Sequence, residues 1–311
     1  HYWKAKSYYA KAETEKDKLS YPKAITEYQI FQVTPGATVL PDYNTANYNI
    51  GYCYFQQKQW ASSMIAFRKY ITNKSANDAP EKIFDANIRM GDGYLRMRDY
   101  LNSAEFYGKA IEVNTPDNHY KEYAMYQQAM AMGYLGKKKE KADLLKKMQE
   151  TYPKSNFLAS SRIEEARTLH DLGMFDQALE AFRSLYNDNP NGPVAVECLQ
   201  KMGLIYRSKN DFDNALLNYK KAVELVKGKG TEDFKNLMAA IKEIYLVQNQ
   251  LDQWENYAAA EGYSESQSVA DSTTYVVAVK YYSEGKCSEA MVQLNKYIQK
   301  YPNGIYITEI H

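Results

Sequence analysis

The residues that most often carry out chemistry are scarce in this chain. The four histidines are His1, His119, His170 and His311, and none of them belongs to an HExxH metal motif. The sequence has no glycine-rich phosphate loop and no serine or cysteine nucleophile motif. His170 precedes Asp171, but two adjacent residues do not form a catalytic triad, because a base needs a separately positioned partner. The pattern predicts a protein that is not an enzyme and holds no cofactor.

The three cysteines, Cys53, Cys198 and Cys287, form no CxxC pair. They fall in separate repeats of the array described below, where they are too far apart to be bridged. The sequence therefore predicts neither a disulfide nor a zinc or other metal site. Unpaired cysteines favour a reducing cytoplasm over an oxidising compartment.

The charges are nearly balanced, with 39 Lys plus Arg against 38 Asp plus Glu and a net charge of +1. This balance argues against a nucleic-acid partner. The densest basic cluster runs from Lys137 to Lys141 and continues at Lys146 and Lys147. Such a run is most often a solvated helix face, and binding of an anionic partner is the alternative.

No apolar run approaches the roughly 18 residues that a membrane-spanning helix needs. The chain begins with His1 and shows no basic segment followed by an apolar core, so we expect any signal peptide to be absent or already removed. Membrane association is expected only through N-terminal parts that precede this sequence.

The elements that position the side chains are helical hairpins, and the clearest runs from Lys201 to Leu225. Apolar and small residues recur there at helical spacing on both sides of the turn Lys209-Asn210-Asp211. Small residues at Gly203 and Ala215 would let the two helices approach closely, with aromatic rings packed around the contact. Asp211 is expected to cap the second helix.

The same pattern of small and aromatic residues recurs along the whole chain. The residue that anchors the second helix of each hairpin, small in seven of the eight copies, is found at Ala24, Ser63, Ser103, Ala142, Ala178, Ala215, Trp254 and Ala290. Successive anchors are 36 to 40 residues apart. With 30 Tyr against 10 Phe, the aromatic positions favour rings that pack while their hydroxyl groups reach water.

The motif small-x2-Tyr-x5-aromatic-x2-Ala-x3-aromatic resembles the tetratricopeptide repeat family, whose usual repeat is about 34 residues long. The resemblance implies an all-α fold, a right-handed superhelical solenoid of about eight helix-turn-helix repeats. We expect a single solenoid over 1–311. Its approximate repeats are 5–38, 44–78, 84–118, 123–155, 159–192, 196–229, 235–264 and 271–304.

Two places depart from the regular pattern. In the seventh repeat Trp254 stands where a small residue belongs and Ala258 where an aromatic residue belongs, which predicts an altered packing angle. The segment from Gly304 to His311 is expected to begin a ninth repeat. That segment suggests that the chain is a fragment of a longer protein.

Two repeats end in Tyr-Pro, at Tyr152-Pro153 and Tyr301-Pro302. These endings are similar to those of bacterial envelope lipoproteins and periplasmic coordinators of the same family. The resemblance implies a cell-envelope or periplasmic location, although the proline also has a purely structural role after a helix. A cytoplasmic location is the alternative.

The concave face of a helical solenoid is the expected binding surface, because the first helices of successive repeats line it. Family geometry directs twelve residues towards this face: Tyr9, Tyr48, Tyr52, Phe55, Asp92, Arg96, Tyr134, Arg167, His170, Arg207, Tyr275 and Tyr282. For any single tyrosine, packing between repeats is an equally strong interpretation. The lysine of the chaperone-binding members is missing from the corresponding positions, which disfavours an acidic chaperone tail as the ligand.

The sequence thus predicts a non-enzymatic interaction scaffold that binds a peptide or a partner helix, within a bacterial envelope assembly. One alternative is a structural module that associates with itself or joins other domains. Another is a protein that binds glycans or small molecules on a tyrosine-rich face.

Overall fold

The computed structural model describes residues 1–74, 78–115, 120–226, 228 and 230–310, and every regular element in these ranges is helical. His119 and His311, and with His311 the end of the expected ninth repeat, lie outside the described residues. The helices are α1 (Tyr2–Thr14), α2 (Ser20–Val33), α3 (Asp42–Gln56), α4 (Trp60–Thr72), α5 (Pro80–Arg96), α6 (Tyr100–Glu112), α7 (Lys121–Tyr134), α8 (Lys138–Thr151), α9 (Leu158–Asp171), α10 (Phe175–Asp188), α11 (Ala195–Ser208), α12 (Phe212–Leu225), α13 (Glu232–Val247), α14 (Leu251–Ala260), α15 (Gln267–Ser283), α16 (Cys287–Lys300) and α17 (Ile307–Ile310). A short 3₁₀ helix covers Ala37–Val39.

The turns within the hairpins share one backbone geometry. In the turn between α11 and α12, Asn210 has φ +59° and the Asp211 N–H donates to the Tyr206 carbonyl at 2.9 Å. This is the Schellman ending of a helix, and the same bond closes the turns before α4, α6, α8, α10, α14 and α16. The Asp211 carboxylate accepts from the Asn214 N–H at 3.2 Å, which confirms the expected cap.

Glycine is required where an aromatic ring of the second helix lies against the first helix. A Cβ atom at Gly203 would lie 2.6 Å from the ring of Tyr219, and one at Gly51 would lie 2.8 Å from Phe67. No Cβ atom approaches a ring this closely without a shift of the ring. The close approach expected from the sequence is therefore present.

The second and third hairpins have serine where alanine is usual, and the serine hydroxyl joins the two helices. Ser63 donates to the Gly51 carbonyl at 2.8 Å and Ser103 to the Gly91 carbonyl at 3.0 Å, and both bonds are buried. A buried hydroxyl group without a partner would destabilise the fold, and here the glycine carbonyl of the first helix is that partner.

The chain folds as two compact units, His1–Ala178 and Leu179–His311. In the first unit, hairpins α1–α2, α3–α4, α5–α6 and α7–α8 stack in order and are followed by α9. The second unit contains α11–α12, α13–α14 and α15–α16. The expectation of one solenoid over 1–311 stays a prediction.

The seventh hairpin, α13–α14, packs without a small residue at the crossing of its helices. Trp254 and Ala258 are both buried, and the Trp254 ring meets Tyr263 edge to face at 5.9 Å. Lys242, twelve residues before Trp254, bonds its ammonium group to Glu265 at 2.7 Å and to Thr273 at 2.9 Å. The altered packing angle stays a prediction.

The segment after Pro302 is fixed by one buried carboxylate on α15. Asp271 accepts from the Tyr297 hydroxyl at 2.5 Å and from the Ile305 N–H at 2.9 Å. The chain then enters the short helix α17, and the ninth repeat expected here stays a prediction.

Candidate functional site

Side chains of α3, α5 and α7, the first helices of three successive hairpins, line a continuous groove in the first unit. Its larger pocket has a volume of about 680 Å³ and is bordered by Phe55, Arg89, Asp92, Arg96 and Tyr134, among others. A second pocket of about 320 Å³ shares Arg89 and is bordered by Tyr48 and Tyr120. We call this surface, with its two pockets, the α3–α5–α7 groove.

Arg89 lies at the centre of the groove and connects α3 with α5. Its Nε donates to the Tyr52 hydroxyl at 3.0 Å, and its guanidinium group pairs with Asp92 at 2.9 Å and with Asp85 at 3.4 Å. The guanidinium carbon lies 5.7 Å from the centre of the Tyr52 ring and 5.6 Å from that of Phe55. Planar contacts to carboxylates and rings hold the guanidinium group in one orientation.

Two carboxylates accept hydrogen bonds from four tyrosines around this arginine. Asp85 accepts from the hydroxyl groups of Tyr48, at 2.8 Å, and of Tyr52. Asp92 accepts from two further hydroxyl groups, those of Tyr107 and Tyr123, each at 2.7 Å. The network ties α3, α5, α6 and α7 together.

The groove tyrosines are held in the neutral form. Burial, followed by the charge of Asp85, raises the pKa of Tyr48 and Tyr52 well above the usual value. Burial and the charge of Asp92 do the same for the pKa of Tyr107 and Tyr123. Their hydroxyl groups therefore act as donors throughout the physiological pH range.

The larger pocket has aromatic walls and a basic end. Trp60 meets Phe55 edge to face at 5.1 Å, and Tyr100 stacks on Tyr134 at 4.6 Å. Arg96, together with Arg98 in the turn after α5, borders the same pocket. Apolar walls with a few polar groups are typical of binding pockets.

Six of the twelve predicted residues come together in this groove. Four of them, Phe55, Asp92, Arg96 and Tyr134, border the larger pocket. Tyr48 borders the smaller one, and Tyr52 belongs to the hydrogen-bond network. Tyr48 and Tyr52 are half-buried and also pack on Phe67, so they support the fold as well as the surface.

The other predicted residues of the first unit do not join the groove. Tyr9 packs on Tyr21 with ring centres 6.1 Å apart. Arg167 donates to Glu164 at 2.6 Å, and His170 lies 5.9 Å from the Phe175 ring. These contacts are those of ordinary packing and surface ion pairs.

The predicted residues of the second unit are also separate from one another. Arg207 pairs with Glu243 at 2.5 Å. Tyr275 stacks on Tyr306 at 4.2 Å and donates to Glu309 at 2.9 Å, so it packs against the segment that contains α17. Tyr282 is 69% exposed.

The structure adds groove residues that the sequence analysis missed, above all Asp85 and Arg89. The spacing of Asp85, Arg89, Asp92 and Arg96 is four, three and four residues, which places alternating charges on one face of α5. That charge pattern is visible in the sequence and could have identified Asp85 and Arg89. The sequence could not predict that Trp60 and Tyr123 of neighbouring helices border the same pocket, because their position depends on how the hairpins stack.

Four further expectations concern metal binding, membrane spanning, disulfide pairing and the lysine cluster. In the part of the chain that the structure describes, no group of three or more His, Cys, Asp or Glu residues could hold a metal ion, and no helix is long and apolar enough to cross a membrane. Cys53, Cys198 and Cys287 form no disulfide. Within the lysine cluster, Lys141 pairs with Glu164 at 2.6 Å, so part of its charge is neutralised.

Tetratricopeptide-repeat models match residues 9–80, 123–155 and 196–225. These three stretches of the chain are tetratricopeptide repeats. The match at 9–80 covers the first two hairpins, and the match at 196–225 coincides with α11 and α12. The fold predicted from the motif, an all-helical stack of tetratricopeptide hairpins, is therefore confirmed.

Among solved structures, the tetratricopeptide chain is similar to the MamA protein, with 18% identity over 60% of this chain and 93% of that chain and a TM-score of 0.48. It is also similar to YrrB, a structure described as a TPR protein with an unusual peptide-binding site, with 16% identity over 66% of this chain and 91% of that chain and a TM-score of 0.47. No curated protein sequence matches.

Proposed function

We propose that this tetratricopeptide-repeat chain is a non-enzymatic scaffold that binds a peptide or a partner helix in the α3–α5–α7 groove. Tetratricopeptide repeats are interaction modules, and their stacked hairpins create extended concave surfaces. The observation that carries the proposal is the 680 Å³ pocket, which takes side chains from three successive hairpins. Its size is typical of sites that enclose a few side chains of a ligand.

The rigidity of the groove supports this function. The two carboxylates beside Arg89 accept hydrogen bonds from four tyrosines, and Arg89 pairs with both carboxylates and donates to the Tyr52 hydroxyl. A surface that is already ordered loses little conformational entropy when it binds. Tyr134, by contrast, is 59% exposed, so its ring is accessible to a partner.

A photo-crosslinking amino acid placed in living cells tests the proposal. We expect a crosslinker at Tyr134 to capture one partner reproducibly, and the purified partner should bind the chain and be displaced by its own crosslinked segment. The matched control is a crosslinker at Glu105, on the outward face of α6, whose side chain is 52% exposed. Equal capture at both positions would argue against the groove. Concentration-dependent crosslinks between copies of the chain would favour self-association instead.

We further propose that the scaffold works in a bacterial cell envelope. The Tyr-Pro endings at Tyr152 and Tyr301 support this location through their likeness to envelope members of the family. Fractionation of the source cells into periplasm, membrane and cytoplasm tests it. Recovery with cytoplasmic markers would overturn the location and leave the binding proposal intact.

A further inference from the structure

The basic end of the larger pocket has arginine side chains without partners. Arg96 is the last residue of α5 and Arg98 follows in the turn, and both border the pocket. Among the described residues, neither side chain makes a hydrogen bond or an ion pair, whereas the Arg89 side chain deeper in the pocket is paired with two carboxylates. Two positive charges in one recess are therefore uncompensated.

The pocket offers no carboxylate of its own to these arginines. Asp92 is the single acidic residue among the described residues that border it, and Asp92 already accepts from Arg89, Tyr107 and Tyr123. The side chain of Asp92 is only 11% exposed. An incoming carboxylate would therefore find unpaired guanidinium groups rather than compete with an internal ion pair.

The backbone of the turn does not require an arginine at position 98. Arg98 has φ +61°, a left-handed conformation that favours glycine. The corresponding turns contain Gly136, Gly173 and Gly285, each with positive φ. Lys58 also has a positive φ in the turn one hairpin earlier, so the role of the Arg98 side chain is inferred from its place at the border of the pocket and not from its backbone.

Aromatic rings stand beside the arginines. The Trp60 ring on one side and the stacked pair Tyr100 and Tyr134 on the other border the same pocket. Such rings bind apolar or aromatic side chains, with preference for flat groups. The volume of about 680 Å³ has room for more than one side chain.

We propose that the larger pocket of the α3–α5–α7 groove binds an acidic side chain of a partner segment, whose carboxylate pairs with Arg96 and Arg98 while an adjacent aromatic side chain packs between Trp60 and Tyr134. This inference rests on the proposed function of the groove. The chaperone-binding members of the family use a lysine on the face of the first helix. The residues proposed here lie elsewhere, since Arg96 is the last residue of α5 and Arg98 belongs to the turn.

Selection of peptides from a random library on the purified chain, followed by binding measurements, tests this inference. We expect selected peptides that bind the groove to be enriched in Asp or Glu next to an aromatic residue. In one selected peptide, replacing the acidic residue by its amide should weaken binding about tenfold, the effect of losing one charge-assisted pair. Binding should also weaken as salt is raised.

The double variant Arg96→Gln, Arg98→Gly provides the complementary measurement. It should bind the acidic peptide about tenfold more weakly and should no longer distinguish it from the amide peptide. Since glycine suits the turn at position 98, the variant should keep its fold, and circular dichroism and melting check this. The matched control is Lys58→Gly, the same turn change one hairpin earlier and outside the pocket, which should bind like the unmodified chain.

The possible failures can be told apart. A bulky label attached at position 134 should block peptides that bind in the groove. If it blocks the selected peptides, but these carry no acidic residue or bind the double variant equally well, the inference is wrong and the groove function stands. If the label blocks the binding of no selected peptide, both the inference and the proposed function are wrong.

Discussion

The third and sixth hairpins have the same internal packing. Gly91 lies beneath the ring of Tyr107 in α5–α6, and Gly203 lies beneath the ring of Tyr219 in α11–α12. A Cβ atom would lie 2.7 Å from the first ring and 2.6 Å from the second. In both hairpins an aspartate caps the second helix.

The two hairpins differ at the next residue of the first helix. Asp92 follows Gly91, and its buried carboxylate accepts from the Tyr107 hydroxyl at 2.7 Å. Leu204 follows Gly203 and is 41% exposed. The Tyr219 hydroxyl has no hydrogen-bond partner among the described residues of the chain. One position therefore converts the same ring from a packing residue into part of a polar network.

This difference separates what forms a hairpin from what forms a binding surface. The glycine, the ring and the cap are common to both hairpins, whereas the charges on the face of α5 belong to the third hairpin. The sixth hairpin has the same internal packing without these charges, so the packing of a hairpin does not depend on them. The predictions below test each half of this contrast.

The largest expected effect is the loss of groove stability at alkaline pH. Burial raises the pKa of Tyr48, Tyr52, Tyr107 and Tyr123 above the ordinary value near 10. The unfolded chain releases these protons first, so their contribution to stability is complete below about pH 10 and is lost as pH rises further. Above pH 10, each tyrosine lowers the free energy of unfolding by up to about 1.4 kcal/mol per pH unit. Melting temperatures measured on both sides of pH 10 check this.

The comparison with the sixth hairpin sharpens the alkaline experiment. Tyr219 is one buried tyrosine, and burial raises its pKa to about 12. The variant Tyr107→Phe, Tyr123→Phe should flatten the fall in melting temperature above pH 10 more than Tyr219→Phe does. Equal flattening would mean that the groove network is not the alkali-sensitive part of the molecule.

Asp92→Ala should give the next largest effect. It leaves Arg89 with one carboxylate fewer and removes the acceptor of Tyr107 and Tyr123. The free energy of unfolding should therefore fall by about 3 kcal/mol. Leu204→Ala at the equivalent position should cost less than about 1 kcal/mol, because Leu204 is largely exposed. Urea unfolding, with hydrogen exchange to locate the weakened helices, measures both. A comparable loss for the two variants would refute the contrast.

Most of the fold could be predicted from the sequence, because each hairpin depends on local features that recur. The spacing of small residues, aromatic residues and turns identified the eight hairpins and the turn at Asn210. The serines at 63 and 103 stand where the motif has alanine. Their bonds to the glycine carbonyls were not predicted, because a carbonyl made available by a missing side chain leaves no mark on the sequence.

The candidate site could be predicted only in part. Family geometry identified Phe55, Asp92, Arg96 and Tyr134, because their register relative to the glycine is fixed. It also included Tyr275 and Arg207, whose partners come from later helices. The tyrosine excess was interpreted as rings with wet hydroxyl groups, yet several of these groups donate to buried carboxylates, and such pairing depends on contacts between distant segments.

Gly91→Ala and Gly203→Ala should have equal effects of intermediate size. The added methyl group meets an aromatic ring in both hairpins, and the cost of overpacking exceeds the gain in helix propensity by about 1–2 kcal/mol. Urea midpoints of the two variants check the equality. A much larger loss at Gly91 would show that the groove network also restricts the movement of Tyr107, so that the two hairpins do not share one internal packing.

The smallest expected effect is at the turns, where Lys58 and Asn210 both have φ +59°. A lysine in the left-handed region is strained, whereas asparagine is one of the residues that tolerate it. Lys58→Gly should therefore stabilise the chain by up to about 1 kcal/mol after the added entropy of the unfolded glycine is counted, and Asn210→Gly should change the stability by roughly zero. Melting temperatures should differ by about 2 °C between the two variants. If Asn210→Gly gained as much as Lys58→Gly, the residue type would not matter at these turns.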